Sequence, residues 1–128
     1  MGEPRCIHKV QDGIHELIFT EVSRNAVDEF MNHFDGILRQ AAPDDTVRVF
    51  GNNGDNSPQP MGYALARSRA ILNAYRERPA IRLALMNNGR FANMMDSLFR
   101  TLLRRRDRIR FFKLTEREKL LEWLRRDD

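Results

Sequence analysis

Nucleophilic and metal-binding side chains are sparse in this chain, and their spacing limits the chemistry they can support. The three histidines, His8, His15 and His33, follow neither an H-x-x-x-H nor a C-x-x-C pattern, so no metal centre is expected. His8 and His15 flank Gln11-Asp12-Gly13-Ile14, a turn that brings their strands together. A two-histidine surface site is the functional reading of that pair, and an ordinary pair of edge-strand residues is the preferred one. Cys6 is the single cysteine, which leaves it no intramolecular disulfide partner. No basic helix end lies beside it in sequence to depress its pKa, which argues against a nucleophile. The expectation is a protein without catalytic residues, metal or cofactor, and an enzyme ranks behind a binding protein.

Amide-rich loops are the better candidates for function. Gly51-Asn52-Asn53-Gly54 invites comparison with a phosphate loop, but G-x-x-x-x-G-K-[ST] and G-x-G-x-x-G are both absent and no Lys follows. Its place is suggestive, because ligands commonly bind at the carboxyl ends of parallel strands. Asn87-Asn88-Gly89 takes the equivalent place after the next predicted strand. The expected binding residues are Asn52, Asn53, Asp55, Ser57 and Tyr63 at the first loop, with Asn87, Asn88 and Arg90 at the second. Together they would line one crevice with amides and an exposed helix start, a site for a small molecule or anion. The competing reading is that Asn and Gly serve turns that need positive φ.

The densest charge feature is Arg100, Arg104, Arg105, Arg106, Arg108 and Arg110. Such a run can contact phosphates of nucleic acid or lipid headgroups. It can equally complement the negative end of a helix dipole, and aromatic interleaving is weak, so nucleic acid is not the expected partner. Met94-Met95, with Phe91 and Phe99, could offer a partner or an acyl chain an adaptable surface, although a core-facing stripe explains them better.

The elements that must hold these residues are legible from pattern. Cys6 to Gln11 and Ile14 to Thr20 read as antiparallel strands around Asp12-Gly13. Ser23 caps a helix whose Val27, Phe30, Met31, Phe34, Ile37 and Leu38 share one face. A strand around Val47 to Phe50, a helix from Met61 to Glu77, a strand from Ile81 to Met86 and a helix from Arg90 to Arg106 follow. A last strand begins at Ile109, and Thr115-Glu116-Arg117-Glu118 reads as a capping box before a final helix buried by Leu120, Leu121, Trp123 and Leu124. The order β-β-α-β-α-β-α-β-α implies an α/β fold: a mainly parallel sheet of about five strands with an N-terminal antiparallel hairpin and four helices. The recurrent Arg48, Arg82 and Arg110 are anomalous there, since an unpaired charge on a buried sheet is costly. Strand ends or incomplete helical cover would resolve the anomaly.

Composition sets the frame. At 128 residues, 41% hydrophobic and 31% charged, the chain is expected to form one folded domain, residues 1–128. No apolar run approaches the roughly 20 residues needed to cross a bilayer, and no secretory signal is visible, so a cytoplasmic protein is expected. The formal charge of +4 permits an anionic partner, but acidic residues are interspersed and a mixed-charge surface is the simpler reading. The hairpin's open edge would also allow a homodimer.

From Ala80 onward the wording Ile-Arg-Leu-Ala-Leu-Met, a helix, then Arg-Phe-Phe-Lys-Leu-Thr-Glu-Arg-Glu-Lys-Leu-Leu-Glu-Trp-Leu resembles the ending of the uncharacterised SpoIIAA-like group, a STAS-type domain. In element order the likeness covers nearly the whole chain. It implies a regulatory module that binds another protein, as anti-sigma-factor antagonists do, or alternatively a carrier of lipid or a small metabolite. It also implies a phosphoacceptor after the third strand, and Ser57 in Asp55-Asn56-Ser57-Pro58 is the only hydroxyl there. The family's Asp-Ser-Ser-Gly wording is missing, which favours a plain turn residue at Ser57.

Overall fold

The computed structural model describes residues 3–88, 104 and 106–127. Their order is β1 (Cys6–Gln11), β2 (Ile14–Phe19), α1 (Arg24–Gln40), β3 (Thr46–Asn52), α2 (Met61–Ala74), β4 (Ala80–Asn87), β5 (Arg108–Lys113), a 3-10 turn (Leu114–Glu116) and α3 (Arg117–Arg125). The five strands form one sheet in the order β1-β2-β3-β4-β5. β1 and β2 are antiparallel, and β2 to β5 run parallel. The expected α/β fold with a mixed sheet is therefore present, with three helices among the described residues. The helix expected at Arg90 to Arg106 falls largely outside them.

The hairpin forms because Asp12 and Gly13 both adopt positive φ, at 53° and 77°, which lets Gln11 pair directly with Ile14. α1 starts where expected: the Ser23 hydroxyl accepts the Ala26 N–H at 3.0 Å. Its six anticipated apolar residues are all buried.

α1 and α2 pack on one face of the sheet and α3 on the other. The first core joins Leu17, Val47, Val49 and Ile81 to Val27, Phe30, Phe34, Ile37, Ile71 and Leu72. The second places Ile14, Phe50, Ala84, Met86 and Phe112 under Leu120, Trp123 and Leu124. Alternate residues of each strand thus serve alternate cores, as the two-residue pleat requires.

Three sequence expectations need correction. α2 ends at Ala74, not Glu77, because Tyr75 turns to extended backbone and its hydroxyl donates to Asp35 at 2.6 Å. Arg104 then donates to the carbonyls of Tyr75 and Arg76 just beyond the helix. The capping box is not Thr115 with Glu118. Glu116 instead accepts the Lys113 N–H at 2.8 Å, a 3-10 turn intervenes, and α3 starts at Arg117. Finally, β3 continues through Gly51 and Asn52, so these two residues belong to the sheet and not to the loop.

The arginine anomaly is also resolved. Arg48 and Arg82 are register partners on the face beneath α3. Arg48 donates to the carbonyls of Leu124 and Arg126, and Arg82 to that of Trp123 at 2.6 Å. Both thereby bond to carbonyls in the last turn of α3, where intrahelical donors run out. Arg110 is different: it is exposed on β5, its guanidinium 5.0 Å from the ring centre of Phe112.

Candidate functional site

At the carboxyl ends of β3 and β4 the sheet, α1 and α2 leave a narrow cleft of about 90 Å³. Its walls are Phe19, Val27, Phe30, Met31, Phe34 and Ala64 from the first core and its margin, closed from the sheet side by Leu83 and Leu85. Asn53, Asn56, Gln59, Asn87 and Asn88 stand at its polar rim. No charged residue is found among its described lining residues.

The cleft exists partly because of a glycine. A Cβ at Gly51 would lie 3.0 Å from both Phe30 Cε2 and Leu85 Cδ2. Glycine therefore lets the two side chains approach the strand backbone and leaves space above them. The sequence suggests that Gly51 serves a turn; its actual role is close approach within a strand.

The rim is built by a network centred on Gln59, which is only 9% exposed. Its amide nitrogen donates to the Asn53 carbonyl oxygen at 3.0 Å and to the backbone carbonyl of Glu21 at 2.8 Å. Its carbonyl oxygen accepts the Ser23 N–H at 3.3 Å. Asn53 in turn donates to the carbonyl of Ser57 at 3.1 Å, and its own N–H bonds to Met86 O at 3.0 Å. Gly54 takes φ of 56° to turn the chain. Asn56 donates its side chain to Phe19 O at 3.3 Å. These bonds tie the loop to α1, β2 and β4, so the rim is held in place by backbone as well as side-chain contacts.

Of the residues anticipated from sequence, Asn53, Asn87 and Asn88 line the cleft. Asn52 does not, because strand alternation turns it to the opposite face, where it donates to Glu16 at 3.1 Å and accepts the Gly54 N–H. Asp55 and Ser57 are exposed away from the cleft lining. Tyr63 is turned to α1, its hydroxyl on Asp28 at 2.5 Å. Arg90 lies outside the described residues. Gln59 and Asn56 carry no local motif that would single them out. Phe30, Met31 and Phe34 are legible only as a helix face, since sequence does not tell a core wall from a cleft wall.

The chemistry elsewhere is muted. Burial and the nearby Glu29 carboxylate push the Cys6 thiol up to about 12, so it stays protonated at neutral pH. His8 Nε2 and His15 Nδ1 are 3.0 Å apart across the hairpin, and the His33 ring lies tilted against that of His8 with ring centres 5.2 Å apart. Among the described residues, no group of three or more His, Cys, Asp or Glu is placed to hold a metal ion. No helix among them is long and apolar enough to cross a membrane. Comparison with protein-family models, with curated proteins and with solved structures gives no match.

Proposed function

We propose that this protein is a non-enzymatic carrier or sensor of a small amphiphilic molecule, held by its apolar part in the cleft between α1, α2 and the sheet. The observation that carries this reading is the pairing of an apolar, uncharged cleft with a fixed amide rim at the strand ends. Apolar walls supply affinity at about 0.8 kcal/mol per buried methylene, and a few oriented polar groups supply specificity. A volume of about 90 Å³ suits the end of an unbranched chain better than a fused ring system. The rim suits a neutral polar head that donates, because the Asn53 and Gln59 amide oxygens each accept one bond within the network and can accept a second.

Native mass spectrometry of the gently purified full chain tests this directly. A non-covalent adduct, displaced by a fluorescent acyl probe that binds saturably, is the expected result. Absence of any adduct together with no saturable probe binding would overturn it.

A second reading follows the resemblance to SpoIIAA-like regulators: a protein-interaction module acting through residues 55–58. Asp55, Ser57 and Pro58 are exposed, while Asn53 and Gln59 fix the backbone on either side. A partner would thus meet a preformed surface. Phosphate at Ser57 would add up to two negative charges beside it and alter that contact. Phosphopeptide mapping of Ser57, and pull-down with Ser57→Ala and Ser57→Asp, separate a switch from a turn residue.

A further inference from the structure

The loop that joins β3 to α2, residues 53–60, has two faces. Inward, Asn53, Asn56, Pro58 and Gln59 line the cleft. Outward, Asp55 and Ser57 are exposed away from it. One short stretch of backbone thus carries both a wall of the cleft and a patch of outer surface.

This wall is held differently from the others. Val27, Phe30, Met31 and Phe34 belong to the first core, and Leu83 and Leu85 stand on β4, which is paired along its length with β3. Neither apolar core, among the described residues, takes in any of residues 53–60. Amide hydrogen bonds hold the loop instead, and Gln59 is their hub. It reaches the Glu21 carbonyl and the Ser23 N–H in the β2–α1 connection, and the Asn53 side chain across the loop. Water can replace each of these bonds when the loop lifts, so their net contribution is modest. Moving an apolar wall would expose carbon surface with no such replacement.

The size of the cleft decides which wall yields. A void of about 90 Å³ takes the end of a chain, and the remainder of the ligand must pass the rim. Asn53, Asn56 and Gln59 of that rim stand on the loop. We propose that the loop is a lid latched by Gln59, and that loading of the cleft releases the latch and rearranges residues 55–58 on the outer surface. The inference rests on the carrier reading and adds to it a signal of occupancy that a partner protein can read. The two states are latched and unlatched, and the ligand favours the second because it alone has room for more than a chain end. By reciprocity, a partner that grips the unlatched outer face tightens binding in the cleft.

The test uses the full chain and decanol, whose hydroxyl donates and whose chain is unbranched. One arm follows displacement of the fluorescent acyl probe from the unlabelled protein. The other follows an environment-sensitive dye attached through Ser57→Cys. Cys6 is 1% exposed and its thiol is pushed up to about 12, so the dye goes to position 57. Both signals are expected to saturate at the same decanol concentration, within about threefold. Gln59→Ala in the labelled protein is expected to move the dye emission toward its ligand-bound value without any ligand, while the emission of Trp123, on the other face of the sheet, stays unchanged. Saturable displacement with a silent dye refutes the lid and leaves the carrier reading standing. A dye that responds to decanol but not to Gln59→Ala refutes the latch. No displacement at all removes the carrier reading, and the lid with it.

Discussion

The guanidinium carbon of Arg82 lies over the indole of Trp123, 4.2 Å from the ring centre, while its Nε donates to the Trp123 carbonyl at 2.6 Å. One side chain of the sheet thus holds both the ring and the backbone of a residue in α3. Arg82 is 5% exposed, so neither contact is diluted by water. A buried cation–π contact contributes about 2 kcal/mol, and a charged hydrogen bond about 1.5–3 kcal/mol. Arg82→Leu is accordingly expected to lower stability by about 3 kcal/mol, measured by urea unfolding. Because Trp123 is the only tryptophan, its fluorescence reports this contact without labelling. Wild-type stability and an unshifted emission maximum in the variant would mean that Arg82 does not anchor α3.

A second anchor joins the loop before β4 to the start of β5. The side chains of Arg78 and Asp107 are each 1% exposed and share two hydrogen bonds, at 3.0 and 2.5 Å. Asp107 also accepts the N–H groups of Ile81 and Arg104. Burial pushes its carboxyl up, but these bonds outweigh burial and hold it below the usual range. Asp107→Asn leaves Arg78 buried with its charge uncompensated, and is expected to cost about 3–5 kcal/mol. The double change Arg78→Met with Asp107→Leu is expected to recover a large part of that loss. Equal destabilisation of the single and double variants, in equilibrium unfolding, would count against a charge-burial origin.

The three histidines predict a particular response to acid. A hydrogen bond between His8 Nε2 and His15 Nδ1 needs one protonated and one bare nitrogen. Burial, then the charges of His15 and His33, lower the pKa of His8, and burial lowers that of His15. The folded state therefore takes up these protons less readily than the unfolded chain. Stability from the cluster is fully present above about pH 6.5 and is lost as the pH falls below it. Glu16, Glu29 and Asp107 have lowered values, so their contribution disappears only in a later step, below the ordinary carboxylate range. Urea midpoints measured from about pH 7.5 to pH 3.5 should fall in two stages, and His15→Gln should remove the first. A midpoint flat down to the carboxylate range refutes the coupling.

Legibility from sequence followed the range of the forces involved. Ser23, Asp12-Gly13 and the apolar face of α1 were readable because capping, turn geometry and helical spacing are local. Thr115 and Glu118 misled because Glu116 offers an equally local alternative, and which acceptor wins depends on how β5 delivers the chain. The Arg48–Arg82 pair was visible as an anomaly but not as a solution. Its partners are carbonyls 76 and 41 residues away, fixed only when α3 lands on the sheet. The direction of Asn52 was lost for a similar reason. Assigning Gly51 and Asn52 to a loop hid the alternation that turns Asn52 away from the cleft.

Gly51 offers a test in which fold and site respond differently. Its φ is not in the positive region, so alanine at this position carries no backbone strain, and replacing glycine reduces the freedom of the unfolded chain by about 0.4–1 kcal/mol. Against this, the new methyl would sit 3.0 Å from Phe30 Cε2 and Leu85 Cδ2, which is too close without movement. Both contacts are to outer side-chain atoms, and both residues line the cleft. They can therefore give way into open space, where overpacking in a closed core would cost about 1–3 kcal/mol. The two effects nearly cancel, and Gly51→Ala is expected to keep stability within about 1 kcal/mol of the parent. The displaced side chains should fill the cleft, so binding of the acyl probe should fall about tenfold or more. Probe affinity retained at unchanged stability would show that the ligand, if any, sits elsewhere on the protein. A large loss of stability would instead mean that Phe30 and Leu85 cannot move, and that the cleft walls are as rigid as the core beneath them.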